Sequence, residues 1–464
     1  MTTGYTPPPN GFRTFVIVWI TQSISVFGSA LTLFALNIWL LQSLYPRPEQ
    51  KPQLALAISA MSLCFAIPLI VGAPLAGAWA DRHDRRRTML VTDFVSGLLS
   101  LAYAALVITH LLNLGILLVL ITLSATFASF HEASFDTSYA MLVPEDKLPR
   151  ANGMMQSIWS LSGILSPVLA AGLIALPGLA RQRGMALFTT GALASLHDGA
   201  ALAMGLDALT FFLAAGTLLF LAIPSPKRTD LAPAEGKPTK SFWADIKEGA
   251  VYIWHRRPML WLLGAFTIIN FLSGPVDIFL PLIVKFNLQP DWSGRGLTLE
   301  TALASLSSVG AFGGLAGGLL ISLWGGLKKK RIYGVVGSMI FFGAGMFSFG
   351  ISSRLYASMA SLFLFNLTVP VMNAHSQAIW QTQTPHELQG RVFSVRRLIA
   401  QFSWPLSTAL AGVLGGAFNP GSVVAVLGVL LVVFSIVQLF NPILLRVEDK
   451  EYLDRMAAEA AAGD

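Results

Sequence analysis

The chain has 464 residues, of which 54% are hydrophobic and 12% are charged, and its mean hydropathy is +0.65. A soluble domain carries about twice that charged fraction, so the composition excludes an ordinary soluble protein and indicates a chain that lies largely in lipid. The formal net charge of +7 needs no nucleic-acid partner, because membrane orientation accounts for it, as argued below.

Long apolar runs recur along the chain, each near or above the ~20 residues that a helix needs to cross the hydrocarbon layer. Alternating segments of ~10 residues, typical of a membrane barrel, do not occur. The sequence therefore predicts an all-α integral membrane protein with about twelve transmembrane helices, approximately at residues 14–42, 53–79, 88–110, 114–141, 151–176, 203–223, 259–285, 300–326, 332–351, 355–383, 392–418 and 422–445.

The first apolar run follows a single basic residue, Arg13, and lacks a small-residue cleavage site, so we expect it to stay in the mature protein. The single cysteine, Cys64, excludes an intrachain disulfide.

Lysine and arginine are distributed unevenly between the two ends of these runs. If the amino terminus is cytoplasmic and the runs alternate in direction, 24 of the 31 basic residues fall on the cytoplasmic side and 7 on the outer side. This bias predicts a multi-pass protein with both termini in the cytoplasm. We expect it in a bacterial-type inner membrane.

A segment rich in proline and lysine separates the sixth and seventh runs and divides the chain near its midpoint. We expect an amino-terminal half at 1–223, a cytoplasmic linker at 224–258, a carboxyl-terminal half at 259–445 and a cytoplasmic tail at 446–464. The second part of the linker has helical apolar spacing, which fits either an interfacial helix or a short solvated one.

The two halves resemble each other. "PEDKLPR" (144–150) and "PHELQGR" (385–391) each follow the fourth helix of their half, and they start 241 residues apart. An internal duplication of six helices explains this spacing. Parallel repeats of that size indicate a transporter with two pseudo-symmetric halves and a site at the bilayer midplane.

The stretch "GAWADRHDRRR" (77–87) joins the second and third runs and carries five basic groups and two carboxylates. In this position it resembles the signature loop of the major facilitator superfamily. Further stretches of the chain resemble the drug:proton antiporter branch of that family, which includes macrolide and enterobactin exporters. They include "QSISVFGSALTLFAL", "LDALTFFLA" and "AIWQTQTPHELQGRVF". The residues that match the signature pattern are Gly77, Ala80, Asp81, Arg82, Arg85 and Arg86.

The resemblance implies that this loop is a conformational latch. Asp81 would face the amino terminus of the eleventh helix, whose partial positive charge attracts a carboxylate. Arg85 would pair with an acid near the end of the fourth helix, and Asp136 is the acid suitably placed there. The simpler interpretation of Arg86 and Arg87 is that they follow the positive-inside rule.

Two departures from the family pattern weaken the comparison. The fourth run contains no arginine, so a proton-handling arginine there is not implied. The antiporter pattern G-P-x-x-G-G of the fifth helix survives only as small residues at Ser166, Pro167, Ala170 and Ala171.

A charged group at mid-bilayer costs about 2.5–3.5 kcal/mol on insertion scales, so each ionisable residue inside a run is a functional candidate. For proton coupling these candidates are Glu132, Asp277, His131 and His375. Glu132 is the first choice, because burial raises a carboxyl pKa towards the pH of proton exchange, and Asp277 is the second. A structural hydrogen bond is the alternative for each acid, and for each histidine it is the more usual role. Asp93 and Asp207 lie near the ends of their runs, where we expect water or head groups to reach them.

Several polar side chains within the runs suit a substrate cavity, although they equally suit hydrogen bonds that pin helices together. They are Gln22, Ser29, Asn37, Asn270, Asn366, Asn373 and Gln377. The glycine-rich "GAFGGLAGG" of the eighth run predicts close helix approach.

No Walker loop, zinc-ligand pattern or nucleophile signature is present, so we expect no cofactor, no ATP dependence and no enzymatic activity. The sequence favours a monomeric secondary transporter that exchanges protons for a small amphipathic molecule such as a drug or siderophore. The alternatives are a facilitator or importer of the same fold, including one for lysolipids, and a non-transporting membrane scaffold or sensor.

Overall fold

The computed structural model describes residues 8–223 and 242–463, except 192, 195 and 197. The described residues form helices joined by short turns, with no strand among them. The α-helices are α1 (Gly11–Trp39), α2 (Lys51–Arg82), α3 (Arg85–Ile108), α4 (Leu114–Leu142), α5 (Leu148–Gln182), α6 (Ala186–Thr189), α7 (Ala200–Phe220), α8 (Phe242–Trp254), α9 (Arg257–Ser273), α10 (Pro275–Phe286), α11 (Gln289–Gly294), α12 (Leu299–Trp324), α13 (Arg331–Ile351), α14 (Leu355–Gln383), α15 (His386–Ala417), α16 (Pro420–Gln438) and α17 (Lys450–Gly463).

Twelve helical stretches of the described chain are long and apolar enough to cross a membrane, which confirms the predicted count and the all-α fold. A π-helical turn, Leu40–Leu44, extends the first span, and the seventh span consists of α9 and α10 together. The fifth span is longer than predicted, because α5 continues past Pro177 to Gln182. Proline removes one helical hydrogen bond but does not force the helix to end.

Side-chain caps explain where three of the spans begin. Asp84, Asn113 and Asn419 each accept a hydrogen bond from a backbone N–H in the first turn of α3, α4 and α16, respectively. Such caps satisfy amide groups that the helix itself leaves without partners. The cap at Asp84 allows α2 and α3 to be joined by only two residues.

The start of α14 is capped by a side chain from another helix. Asp291 in α11 accepts a hydrogen bond of 2.9 Å from the backbone N–H of Leu355, and Arg295 donates to the same carboxylate at 3.0 and 3.1 Å. The hydrogen bond from Arg295 lowers the pKa of Asp291 below its usual value. The stabilisation linked to this shift is present above the ordinary aspartate pKa and is lost as the pH falls through the lowered one.

The chain forms two compact units: one of residues 1–232 with 298–308, and one of residues 233–297 with 309–464. In the first unit the third span, α3, packs on the fourth span, α4, and on the sixth, α7. In the second unit α13 packs in the same order on α14 and α16. This repeated packing agrees with the internal duplication, while the predicted boundaries of the halves stay predictions.

The glycine-rich part of α12 lies against α14. A Cβ atom at Gly313 would overlap the carbonyl oxygen of Phe363, and one at Gly317 would overlap that of Leu367. Only glycine permits backbones to approach this closely. The predicted close helix approach at this motif is confirmed.

The first part of the predicted linker, residues 224–241, lies outside the described residues, and the second part forms α8. Helix α8 packs on α9 and α15. Glu248 lies 2.6 Å from Arg391, and the Tyr252 hydroxyl donates to the Gln383 carbonyl oxygen at 2.7 Å. Ile253, from the predicted apolar face, is buried in the protein. That α8 lies at a membrane surface stays a prediction.

The interruption between α9 and α10 is a missing hydrogen bond. The backbone stays helical at Gly274, with φ −51° and ψ −37°. Pro275 has no N–H, so the carbonyl oxygen of Phe271 four residues earlier loses its helical donor. The hydroxyl of Ser407 in α15 donates to that oxygen instead, which replaces the lost bond.

We expect Ser407→Ala to lower the free energy of unfolding by about 1 kcal/mol, because it leaves the Phe271 carbonyl without a donor in lipid. Denaturant titration in detergent micelles measures this change. In a Pro275→Ala background the backbone N–H is restored, so the same Ser407→Ala substitution should cost much less. Equal costs in both backgrounds would contradict the role assigned to Ser407.

Candidate functional site

One face of α1 is polar and buried. Gln22, Ser25, Ser29 and Thr32 follow one another at intervals of three or four residues, which places them on the same side of a helix. Each of the four contacts α3 or α7: Ser25, for example, donates to the Thr210 carbonyl oxygen at 3.1 Å. This face holds two buried carboxylates within the first unit.

The first carboxylate is Asp93 of α3. Gln22 Nε2 donates to its Oδ2 at 2.8 Å, and His131 Nε2 of α4 lies 3.1 Å from its Oδ1. Asp93 is 1% exposed, while the His131 side chain is 18% exposed. The expectation that water reaches Asp93 was wrong, because the residue lies two turns inside α3 and neighbouring helices cover it.

The second carboxylate is Asp207 of α7, which is 2% exposed. The hydroxyl groups of Thr32, Ser100 and Ser29 donate to it at 2.7, 2.8 and 3.5 Å. Gly28 makes this possible, since a Cβ atom there would lie 2.7 Å from Asp207 Oδ1. The prediction that water or head groups reach this residue was also wrong: α1 and α3 replace them with hydroxyl groups.

The two acids that the sequence analysis favoured are placed differently. Glu132 of α4 and Asp277 of α10 both lie within spans, with side chains that the protein itself leaves largely uncovered. Sequence gives the depth of a residue along a helix but not the direction in which it points. Glu132 nevertheless follows His131 directly, so it lies next to the buried pair. Coupling roles for Glu132 and Asp277 stay predictions.

His375 of α14 has a structural environment. Its Nε2 accepts a hydrogen bond of 2.9 Å from the backbone N–H of Leu327, and its Nδ1 lies 2.7 Å from the Val371 carbonyl oxygen. These partners require a neutral ring with the proton on Nδ1. Gly334 leaves the space for the ring, and Gly326 has the positive φ of +73° that the turn beside it needs. This geometry favours the structural interpretation over proton coupling.

The charged loop ties α2 and α3 to two other helices of the first unit. Arg85 is buried and donates to the carbonyl oxygens of Ala80 and Thr137 at 3.2 and 3.1 Å, and its NH2 lies 3.8 Å from Asp81 Oδ1. Gly77 has open space beside it, and Arg82 is exposed. The pairing of Arg85 with Asp136, and the latch contact of Asp81 with the start of the eleventh span, stay predictions.

Arg86 has a role that the charge distribution alone does not provide. Its guanidinium donates to the carbonyl oxygens of Leu218 and Leu219 at 2.7 and 2.5 Å, at the end of α7. A cation there satisfies carbonyl groups that the helix leaves without donors and opposes the negative end of its dipole.

The small residues of α5 form a packing surface against α1. Ser166 is fully buried and donates to the Phe27 carbonyl oxygen at 3.3 Å, and Ala170 and Ala171 are buried as well. Pro167 lies inside the helix. In the described structure this motif therefore serves helix contact.

The other amides predicted to line a cavity are distributed over both units. Asn37 and Asn366 each donate to the carbonyl oxygen four residues earlier in their own helix, at 3.0 and 2.9 Å. Asn270 is half-buried and Asn373 is exposed. A common cavity for these side chains stays a prediction.

Gln377 contacts Arg396, one of the 24 basic residues counted on the predicted cytoplasmic side. Its Oε1 accepts a hydrogen bond of 2.6 Å from NH1 of Arg396, which lies ten residues inside α15 and within the eleventh span.

Comparisons with known proteins agree with this architecture. The sequence profile of the Major Facilitator Superfamily matches residues 18–408. Macrolide efflux protein A of Streptococcus pyogenes is 23% identical over 91% of this chain and 94% of its own length. Multidrug efflux pump Tap of Mycolicibacterium fortuitum is 25% identical over 84% and 88% of the two chains. A bacterial homologue of the human lysosomal transporter Spinster has a similar fold, with a TM-score of 0.63 at 13% identity over 98% of this chain and 99% of its own.

Thr32→Val removes one hydroxyl donor from Asp207 at nearly constant side-chain shape, and we expect it to lower the free energy of unfolding by about 1–2 kcal/mol. The matched control is Thr122→Val, because among the described residues the Thr122 hydroxyl bonds only to the Leu118 carbonyl oxygen of its own helix. Denaturant titration of both variants in the same micelles makes the comparison. If the two substitutions cost the same, the hydroxyl of Thr32 does not support the carboxylate.

Proposed function

Since the chain belongs to the Major Facilitator Superfamily, we propose that it is a secondary transporter that exports a small amphipathic molecule in exchange for protons. The names of two relatives, a macrolide efflux protein and a multidrug efflux pump, support the direction of transport and the kind of substrate. We place the protein as a multi-pass protein in a bacterial-type inner membrane, acting as a monomer with both termini in the cytoplasm.

The observation that carries the proton coupling is the buried pair of Asp93 and His131. An imidazolium beside an ionised carboxylate is neutral as a pair, so it is tolerated inside the protein. When His131 releases its proton, the pair carries one buried negative charge that is stabilised by neutral donors alone, such as the Gln22 amide. That state favours a conformation in which water or a cation reaches Asp93, and the change of conformation couples proton movement to transport.

Protons reach the pair through His131. Its side chain is partly exposed, whereas Asp93 is closed off. Glu132, exposed on the next residue, exchanges protons with water and passes them to the imidazole. In this proposal Glu132 is the entry group and Asp93 with His131 is the group that drives the conformational change.

Transport into proteoliposomes with an imposed pH gradient, for a panel of labelled macrolides, siderophores and lysolipids, tests the function itself. Accumulation against the substrate gradient that depends on the pH gradient supports proton exchange. Equilibration without accumulation identifies a facilitator instead. No transport of any compound favours a scaffold.

We expect Asp93→Asn and His131→Gln each to abolish accumulation driven by a pH gradient while downhill exchange of substrate remains measurable. Glu132→Gln should slow accumulation without abolishing it, because other routes to water remain. The control is Asp146→Asn, which neutralises an exposed acid outside the spans. Gradient-driven accumulation at the wild-type rate in folded Asp93→Asn protein would exclude the pair as the coupling group.

The orientation is testable with single cysteines in a Cys64→Ser background. All three positions are exposed, and the predicted topology places Arg82 and Lys329 in the cytoplasm and Arg354 outside. We therefore expect Arg82→Cys and Lys329→Cys to resist impermeant thiol reagents in intact cells, and Arg354→Cys to react. Reaction at Arg82→Cys or Lys329→Cys in sealed cells would reverse the assignment.

A further inference from the structure

Arg396 is a cation within the eleventh span, and the described residues provide no anionic partner for it. Among the described residues its hydrogen bond to Gln377 Oε1 is the one polar contact of its guanidinium, and no ion pair includes it. The charged group that acts on Arg396 electrostatically is a second cation, Arg397. A lone charge in a span is costly, and natural proteins pair such groups or place them at a functional site.

The surroundings of Arg396 are built for a planar cation. The guanidinium carbon lies 5.5 Å from the centre of the Trp380 ring and 5.9 Å from that of Phe266, within the range of cation–π contacts. Trp380 is fully buried, and its indole N–H has no acceptor among the described residues. Helices α9, α14 and α15 thus supply donors and apolar surface here, and Gln377 supplies the one acceptor that Arg396 uses.

The remaining donors of the guanidinium are accessible. Arg396 is half-buried, and its Nε and NH2 are not among the described buried nitrogen atoms that lack a partner. Lipid tails cannot accept hydrogen bonds, so an accessible guanidinium at this depth requires water or a ligand with anionic oxygen atoms.

We propose that Arg396, with Gln377 and the rings of Phe266 and Trp380, binds the anionic group, a carboxylate or phosphate, of an amphipathic substrate. The free N–H groups of the guanidinium form charge-assisted hydrogen bonds to two oxygen atoms of that group. The assignment rests on the proposed transport function and narrows its substrate class to amphipathic anions. A head group of the surrounding lipid carries the same chemistry, so the test has to separate the two sources.

Equilibrium binding to purified protein in phosphatidylcholine nanodiscs tests this without requiring transport or a proton gradient. The probes are octyl phosphate, octanoate and octyl glucoside, which share one chain and differ in the head group. We expect the wild-type protein to bind both anions at least about tenfold more tightly than the glucoside, measured by calorimetry with empty discs subtracted. Equal binding of all three by the wild-type protein overturns the proposal whether or not any variant folds.

Arg396→Gln should lose the preference for anions and leave glucoside binding unchanged. Arg397→Gln is the matched control, because it removes the same charge from an exposed neighbour one residue away, and it should bind like the wild type. Arg396→Lys keeps the charge without the planar fork, so it should retain a weaker preference and serves where Arg396→Gln is not monodisperse. An unchanged preference in Arg396→Gln, or the same loss in Arg397→Gln, overturns the proposal.

Adding phosphatidylglycerol to the discs separates the two sources. If the lipid displaces octyl phosphate from the wild-type protein, Arg396 holds a lipid head group and the assignment to a substrate is overturned. If octyl phosphate still binds, the site is open to a free amphipathic anion. The binding measurement needs neither transport nor a pH gradient. If pH-driven efflux is not observed, the anion-binding result at Arg396 still stands, so the two proposals can be rejected independently.

Discussion

Hydrocarbon offers neither donors nor acceptors, so every backbone group and every charge within the spans has to find its partner in the protein. The described helices meet this constraint with side chains from their neighbours. Arg86 donates to a carbonyl oxygen at the end of α7, and Ser407 donates to that of Phe271. His375 accepts from the N–H of a turn and contacts a carbonyl oxygen of its own helix. Three hydroxyl groups serve Asp207. The polar residues of this chain are largely determined by this requirement.

Within that scheme the groups that are not fully satisfied are the informative ones. Asp93 has one amide and one titratable imidazole, so its environment changes with a single proton. Arg396 has one neutral partner and an open side. The first arrangement suits a group that gains and loses a proton, and the second suits a group that waits for a ligand. Asp207 accepts hydrogen bonds from hydroxyl groups of two helices and is the more fully satisfied of the two buried acids.

Much of the fold was predictable because lipid restricts a sequence more strongly than water does. Length and apolarity determine the twelve spans, and the glycines of α12 indicate a close helix contact wherever the partner lies. The candidate site was less predictable. Asp93 and Asp207 were assigned to accessible ends of spans because sequence distance from a loop was taken as depth. The direction in which Glu132 points around its helix depends on which neighbours pack there. The seven-residue spacing of Gln22 and Ser29, matched by that of Asp93 and Ser100, was a signal that the polar faces of α1 and α3 meet.

The exchange of a backbone donor for a hydroxyl at Pro275 also has a mechanical consequence. In an uninterrupted helix the donor and acceptor of each backbone hydrogen bond lie in the same helix, so the helix moves as one rigid body. Here the carbonyl oxygen of Phe271 in α9 accepts its hydrogen bond from Ser407, so the donor lies in a different helix, α15. A shift of α15 along its axis therefore either moves the Phe271 segment of α9 with it or leaves that oxygen without a donor. The seventh and eleventh spans are linked at one hydroxyl group, so a movement of one acts on the other at this point.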